Sequence, residues 1–163
     1  MTELTEPHDN EVSDSDAETA SRLWERIVPM FSLLEGRLDH TLKRRHGIGL
    51  GQLMALGALA REHPGSVSVS GLARRLGVSV SAASRMLAQL ERTGRAVRVA
   101  WPCDRRAGRA TVTETGLDLW NRACHTLHRE LSLSLGTLRF DERYAHLVAR
   151  LCRTEADQDP SAE

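Results

Sequence analysis

A chain of 163 residues with 40% hydrophobic content is long enough for one domain, or for one small core plus oligomerisation elements. No run approaches the roughly 18 uninterrupted apolar residues of a membrane span, and the acidic start MTELTEPHDNEVSDSD is unlike a secretion signal, so a cytoplasmic protein is expected. The net charge of zero hides a segregation: residues 1–18 hold seven acids and residues 154–163 hold four, with no Lys or Arg in either, which leaves the interior at +11.

The two ends read as tails. Residues 1–18 are too poor in apolar side chains to order themselves, and 154–163 resemble a frayed terminus. Between them, Leu23, Ile27, Met30, Phe31, Leu34, Leu38 and Leu42 recur at three- and four-residue spacings, which predicts a first helix over about 20–46. Pro29 falls inside it and predicts a kink there, or a start close by. Gly47 to Gly51 breaks the pattern, and Leu53, Met54, Leu56, Leu59 and Ala60 mark a second helix that ends before His63-Pro64-Gly65.

Ser66-Val67-Ser68 has room only for a bridge-length strand. Ser68 is placed to cap a helix with the stripe Val69, Leu72, Ala73 and Leu76, stopped at Gly77. Ser79 is placed to cap the next, which buries Ala83, Met86, Leu87 and Leu90 and stops at Gly94. Val97 and Val99 alternate with Arg98 and Ala100, the period of a strand. A charged turn over 102–108 returns into a second strand at Ala110-Thr111-Val112. Thr113 then caps a long helix carrying Leu117, Trp120, Cys124, Leu127, Leu131 and Leu135, and Asp141 caps a last one lined by Tyr144, Leu147, Val148 and Leu151. The order is α-α-β-α-α-β-β-α-α: a mainly α, winged-helix (α+β) fold of six helices with a short hairpin.

Two helices joined by a three- to four-residue turn over 69–94 have the spacing of a helix-turn-helix, whose second helix enters the DNA major groove. With its apolar face inward, that helix turns Val80, Ser81, Ala82, Ser84, Arg85 and Gln89 outward. Small polar residues at its start let it sink into the groove, Ser79 and its neighbours suit phosphates, and Arg85 has the geometry to grip guanine by two hydrogen bonds. Gly71 to Arg109 carries nine Arg against two acids, a footprint for a polyanion, although a solvated basic face would carry the same charge. The hairpin tip presents Arg105, Arg106 and Arg109, side chains able to reach a narrow minor groove, with Asp104 close enough to orient Arg106.

Three stretches, IGLGQLMALGAL, SVSGLARRLGVSVSAASRMLAQLERTGRAVR and DRRAGRATVTETG, resemble the MarR family of winged helix-turn-helix transcription regulators over about residues 20–152. The resemblance implies that Arg106 is the minor-groove arginine held by Asp104, and that Ser81, Ala82, Ser84 and Arg85 face bases and phosphates. It also implies a homodimer built by the first helix and the last two, and a small, often phenolic, effector between dimer helices and winged helix. The long apolar stripes give their own reason to expect dimerisation, with Leu23, Trp24, Ile27, Phe31, Leu127, Leu131, Leu147 and Leu151 at the interface and Trp120 beside them. The chain thus divides into a tail (1–18), a dimerisation helix with a second helix (19–64), the DNA-binding region (65–113), C-terminal dimerisation helices (114–153) and a second tail (154–163). Arg95-Ala96 stands where the family usually has an aliphatic pair, which puts the start of the first hairpin strand in question.

The expected partners are double-stranded DNA and a second copy, with no cofactor, no metal and no membrane. Two alternatives use the same scaffold: a protein-interaction module, or a metal or redox sensor drawing on Cys103 or on Cys124, His125 and His128 with His40 and His46 of the first helix. No GxSxG, Walker, HExxH or GxGxxG pattern occurs, so no enzyme is expected.

Overall fold

The structure, a computed structural model, describes residues 14–99 and 108–149. Helix α1 (Asp14–His46) leads into α2 (Leu50–Ala60), strand β1 (Val67–Ser68), α3 (Val69–Leu76), α4 (Val80–Arg92), β2 (Ala96–Val99), β3 (Arg109–Val112) and α5 (Glu114–Leu138). Residues 145–149 add a helical segment. This is the expected order of elements, with one extension. Helix α1 begins inside the acidic segment read as a tail and continues through Pro29. Composition alone missed that Glu18 pairs with Arg22 one turn on at 3.2 Å, a spacing that favours helix.

The most apolar helix, α2, is the centre of the fold. Leu53, Leu56 and Leu59 are fully buried and meet Leu42 and Ile48 from α1 and its connection, Leu72 from α3, and Leu87 and Leu90 from α4. Ala110 and Val112 of β3 and Leu119, Ala123 and Leu127 of α5 close the same core. At Gly57 a side chain would run into the Trp120 ring, so the two helices approach as closely as they do because that position is glycine. A smaller cluster of Met30, Leu138, Tyr144 and Val148 ties the first half of α1 to the end of α5.

The sheet order is β1-β3-β2, all antiparallel, with Val67 opposite Ala110 and Ala96 opposite Val112. Its inward positions are Val67, Ala96, Ala110 and Val112. Val97 and Val99 face outward, both more than a third exposed. So β2 begins on schedule in spite of Arg95-Ala96: the small Ala96 fills the inward site beneath α4.

Candidate nucleic-acid interface

Helix α4, the candidate recognition helix, is set by local chemistry at both ends. Ser79 has extended backbone and its hydroxyl accepts from the Ala82 amide at 3.2 Å, satisfying one of the unpaired donors of the first turn. The preceding helix repeats the device with Ser68 and Gly71, and α5 with Thr113 and Gly116, each at 3.1 Å. Gly77 and Gly94 take φ of +65° and +66° after α3 and α4, the left-handed turn that glycine adopts without strain. Ala83, Leu87 and Leu90 anchor α4 from beneath, and Met86 lies half-buried against Gly51.

That anchoring fixes what is left outside. Ser79, Ser81, Arg85 and Gln89 are exposed, Ala82 and Ser84 half-exposed, and all six lie at or along the outer side of the helix as expected. Val80 is also exposed beside them. Ser81 shares a 3.0 Å hydroxyl contact with Ser79, which places two hydroxyls together at the helix start. Such a terminus, with free amides and the positive dipole end, favours an anion.

The arginines of the basic stretch divide into two groups. Arg75 pairs with Glu62 at 2.5 Å and Arg98 with Glu91 at 3.0 Å. Arg85 has no hydrogen bond or ion pair with the described residues, and neither do Arg74 and Arg92. Arg74 and Arg92 were not singled out from sequence; their exposed positions in the last turns of α3 and α4 are the signal that would have found them.

Arg109 differs from its expected place at the hairpin tip. It is half-buried at the base, where its guanidinium donates to the Ser66 hydroxyl at 2.8 Å and to the Ser66 carbonyl. Thr111 adds a 2.9 Å bond to the Gly65 carbonyl. Asp104, Arg105 and Arg106 lie outside the described residues, as do Cys103 and Leu151.

The candidate dimer residues also separate. Leu23, Trp24 and Phe31 stand 45%, 68% and 61% exposed along α1, a row of large apolar groups facing solvent. Ile27 is half-buried, and Leu131 and Leu147 pack half-buried against the two clusters. Leu127 lies in the chain's own core, and Trp120 packs against that core over Gly57. The shared stripe of α5 could not distinguish an intrachain from an interchain neighbour. Val28, Leu33, Leu133 and Phe140, the last 91% exposed, join the uncovered set and were not singled out.

Among the described residues no group of three or more His, Cys, Asp or Glu is placed to hold a metal. Burial pushes the Cys124 thiol above its ordinary pKa, which disfavours the reactive thiolate. His46 instead bonds Thr126 at 2.7 Å, joining the end of α1 to α5. Burial, then the nearby Arg122 and Arg45 charges, hold its pKa below the usual histidine value.

Residues 46–107, which include the helix-turn-helix, match the MarR family. No curated protein matches the chain. Among solved structures it is similar to a MarR family transcriptional regulator from Streptomyces coelicolor in complex with DNA, with 21% identity, a TM-score of 0.68, and 90% of this chain and 92% of that chain covered. A MarR family regulator from Silicibacter pomeroyi gives 24% identity and a TM-score of 0.67 over 90% and 100% of the two chains. The apo form of MarR from E. coli gives 23% and 0.63 over 81% and 96%. The MarR fold therefore extends beyond the matched segment to the long helices on either side.

Proposed function

We propose that the chain is a MarR-type transcriptional regulator that binds a pseudo-palindromic operator as a homodimer. The observation that carries this reading is the recognition helix itself. Its inner face is consumed by Ala83, Leu87 and Leu90, and its outer face offers small polar residues and Arg85, which has no partner among the described residues. Each helix of a two-fold pair then occupies a major groove about one helical turn from the other. Arg74 and Arg92 supply further positive charge for the phosphates. Arg106, on the sequence resemblance, serves the flanking minor groove. The exposed row Leu23, Trp24 and Phe31 supports dimerisation through α1, because a chain on its own rarely leaves so many large apolar groups uncovered on one helix.

A small effector acting between the dimer helices and the winged helix completes the proposal. It would work by binding one spacing of the recognition helices more tightly than another. An open hollow of about 420 Å³ beside α1, lined by Arg37, His40 and Thr41 with Glu130 of α5, offers polar groups on the α1–α5 side.

The test is a mobility-shift titration of the full-length protein on the DNA upstream of its own gene. Saturable binding should weaken steeply with salt, and Arg85→Ala should cost about 1–3 kcal/mol of specific affinity. No shift at low salt would remove the DNA reading. The protein-interaction alternative predicts that outcome.

A further inference from the structure

Three elements that a regulator must hold in fixed relation meet at one residue, Arg95. Its amide donates to the Leu90 carbonyl at 2.8 Å, closing the exit of the recognition helix. Its carbonyl accepts from the Thr113 amide at 3.1 Å, fastening the start of α5. The Thr113 and Thr115 hydroxyls reinforce that joint by donating to the Gly94 carbonyl at 2.7 and 3.2 Å. Gly116 lies so close beneath the Arg95 carbonyl that a side chain there would collide with it.

The side chain makes the third connection. Arg95 Nη1 donates to the carbonyl of Gly47 at 3.3 Å. Gly47, at φ +61°, directly follows the last residue of α1, and its own amide still bonds the Lys43 carbonyl at 3.0 Å. A guanidinium at that point meets the negative end of a 33-residue helix dipole and satisfies a terminal carbonyl. One residue earlier, His46 is bonded to Thr126 of α5. The end of α1 is thus tied on one side to the body of α5, and on the other, through Arg95, to the exit of the recognition helix.

We infer that Arg95 is a positioning residue: by joining the end of α1 to the exit of α4, it fixes the angle at which each protomer presents its recognition helix, and so the half-site spacing that the dimer accepts. The inference rests on the dimeric DNA-binding reading above. A side chain near a pivot changes direction at the far end more than it changes energy at the near end. Its loss should therefore appear as relaxed spacing before it appears as lost folding.

The experiment uses full-length protein and a palindromic duplex enriched by the wild type from a randomised pool, remade with its centre lengthened or shortened by one base pair. Wild type should prefer the selected spacing by about tenfold or more. Arg95→Leu, which keeps bulk and loses the donor, should reduce that preference to about threefold while weakening binding to the best duplex far less. If Arg95→Leu does not give a native circular-dichroism spectrum, Arg95→Gln, too short to reach Gly47 and uncharged, is read the same way. An unchanged spacing preference overturns the inference, whether affinity falls uniformly or not. A fall in the salt slope of about 0.9 with spacing preference intact would likewise overturn it, by making Arg95 a phosphate contact. A wild type that enriches no duplex removes the DNA reading and the inference with it.

Discussion

The winged helix and helix α1 solve the same problem, an amphipathic helix seeking cover, in opposite ways. In α4 the apolar face is covered within the chain, and what faces out is Ser81, Arg85 and Gln89. In the first half of α1 the small cluster around Met30 covers one side only, and Trp24 and Phe31 are left bare. One region covers its apolar face within the chain and turns polar groups outward. The other leaves large apolar groups uncovered. Stability within the protomer and stability of assembly should therefore respond to different substitutions.

The largest expected effect lies on the covered side. Leu87→Ala, at a fully buried site, should lower unfolding stability by about 2–5 kcal/mol in urea titrations. A change of less than 1 kcal/mol would mean that α4 is not seated as described. On the bare side, Trp24→Glu with Phe31→Glu should shift the protein from dimer to monomer in sedimentation velocity, with apparent losses of about 2 kcal/mol or more at each position. The far-ultraviolet circular dichroism should be preserved. An unaltered sedimentation coefficient would separate those residues from any interface and break the contrast.

The smallest expected effect lies at the junction of the two regions. His46 has its pKa held below the ordinary value, so the fold favours its neutral form. Between the unfolded pKa of 6.5 and the lower folded value, the unfolded chain binds the extra proton. This contribution to stability is whole above pH 6.5 and is lost as pH falls through that window. Cooling the comparison to one variable, wild type should lose more melting temperature than His46→Gln between about pH 7.5 and about pH 5.5. Equal losses would show that His46 does not feel its surroundings in this way.

What was legible in the sequence was local. Ser68, Ser79 and Thr113 were placed as caps because a hydroxyl three residues before a free amide acts within one turn, and each makes that bond. Gly77 and Gly94 announced helix ends by the same short-range logic. What was not legible depended on distant partners. Arg109 was read as a hairpin-tip contact, yet its fate is decided by Ser66, 43 residues away. Trp24 and Trp120 sit in similar stripes, but Trp120 finds Gly57 within the chain and Trp24 remains bare. Periodicity identifies a face without saying whose face it meets. The valines of β2 teach the same lesson: alternation marked a strand, and the one-sided cover of the sheet decided that Ala96 goes in and Val97 out.

The hairpin base gives the protein a socket. Val99 and Arg109 stand opposite each other in register, and Arg109 and Thr111 fasten the returning strand to Ser66 and Gly65. Among the described residues the Gly108 carbonyl adds a further bond, accepting from the Val69 amide at 3.0 Å, so the returning side of the hairpin is fastened from Gly108 onward. Segments of other lengths and compositions, spliced between Val99 and Gly108, should be carried without refolding the rest.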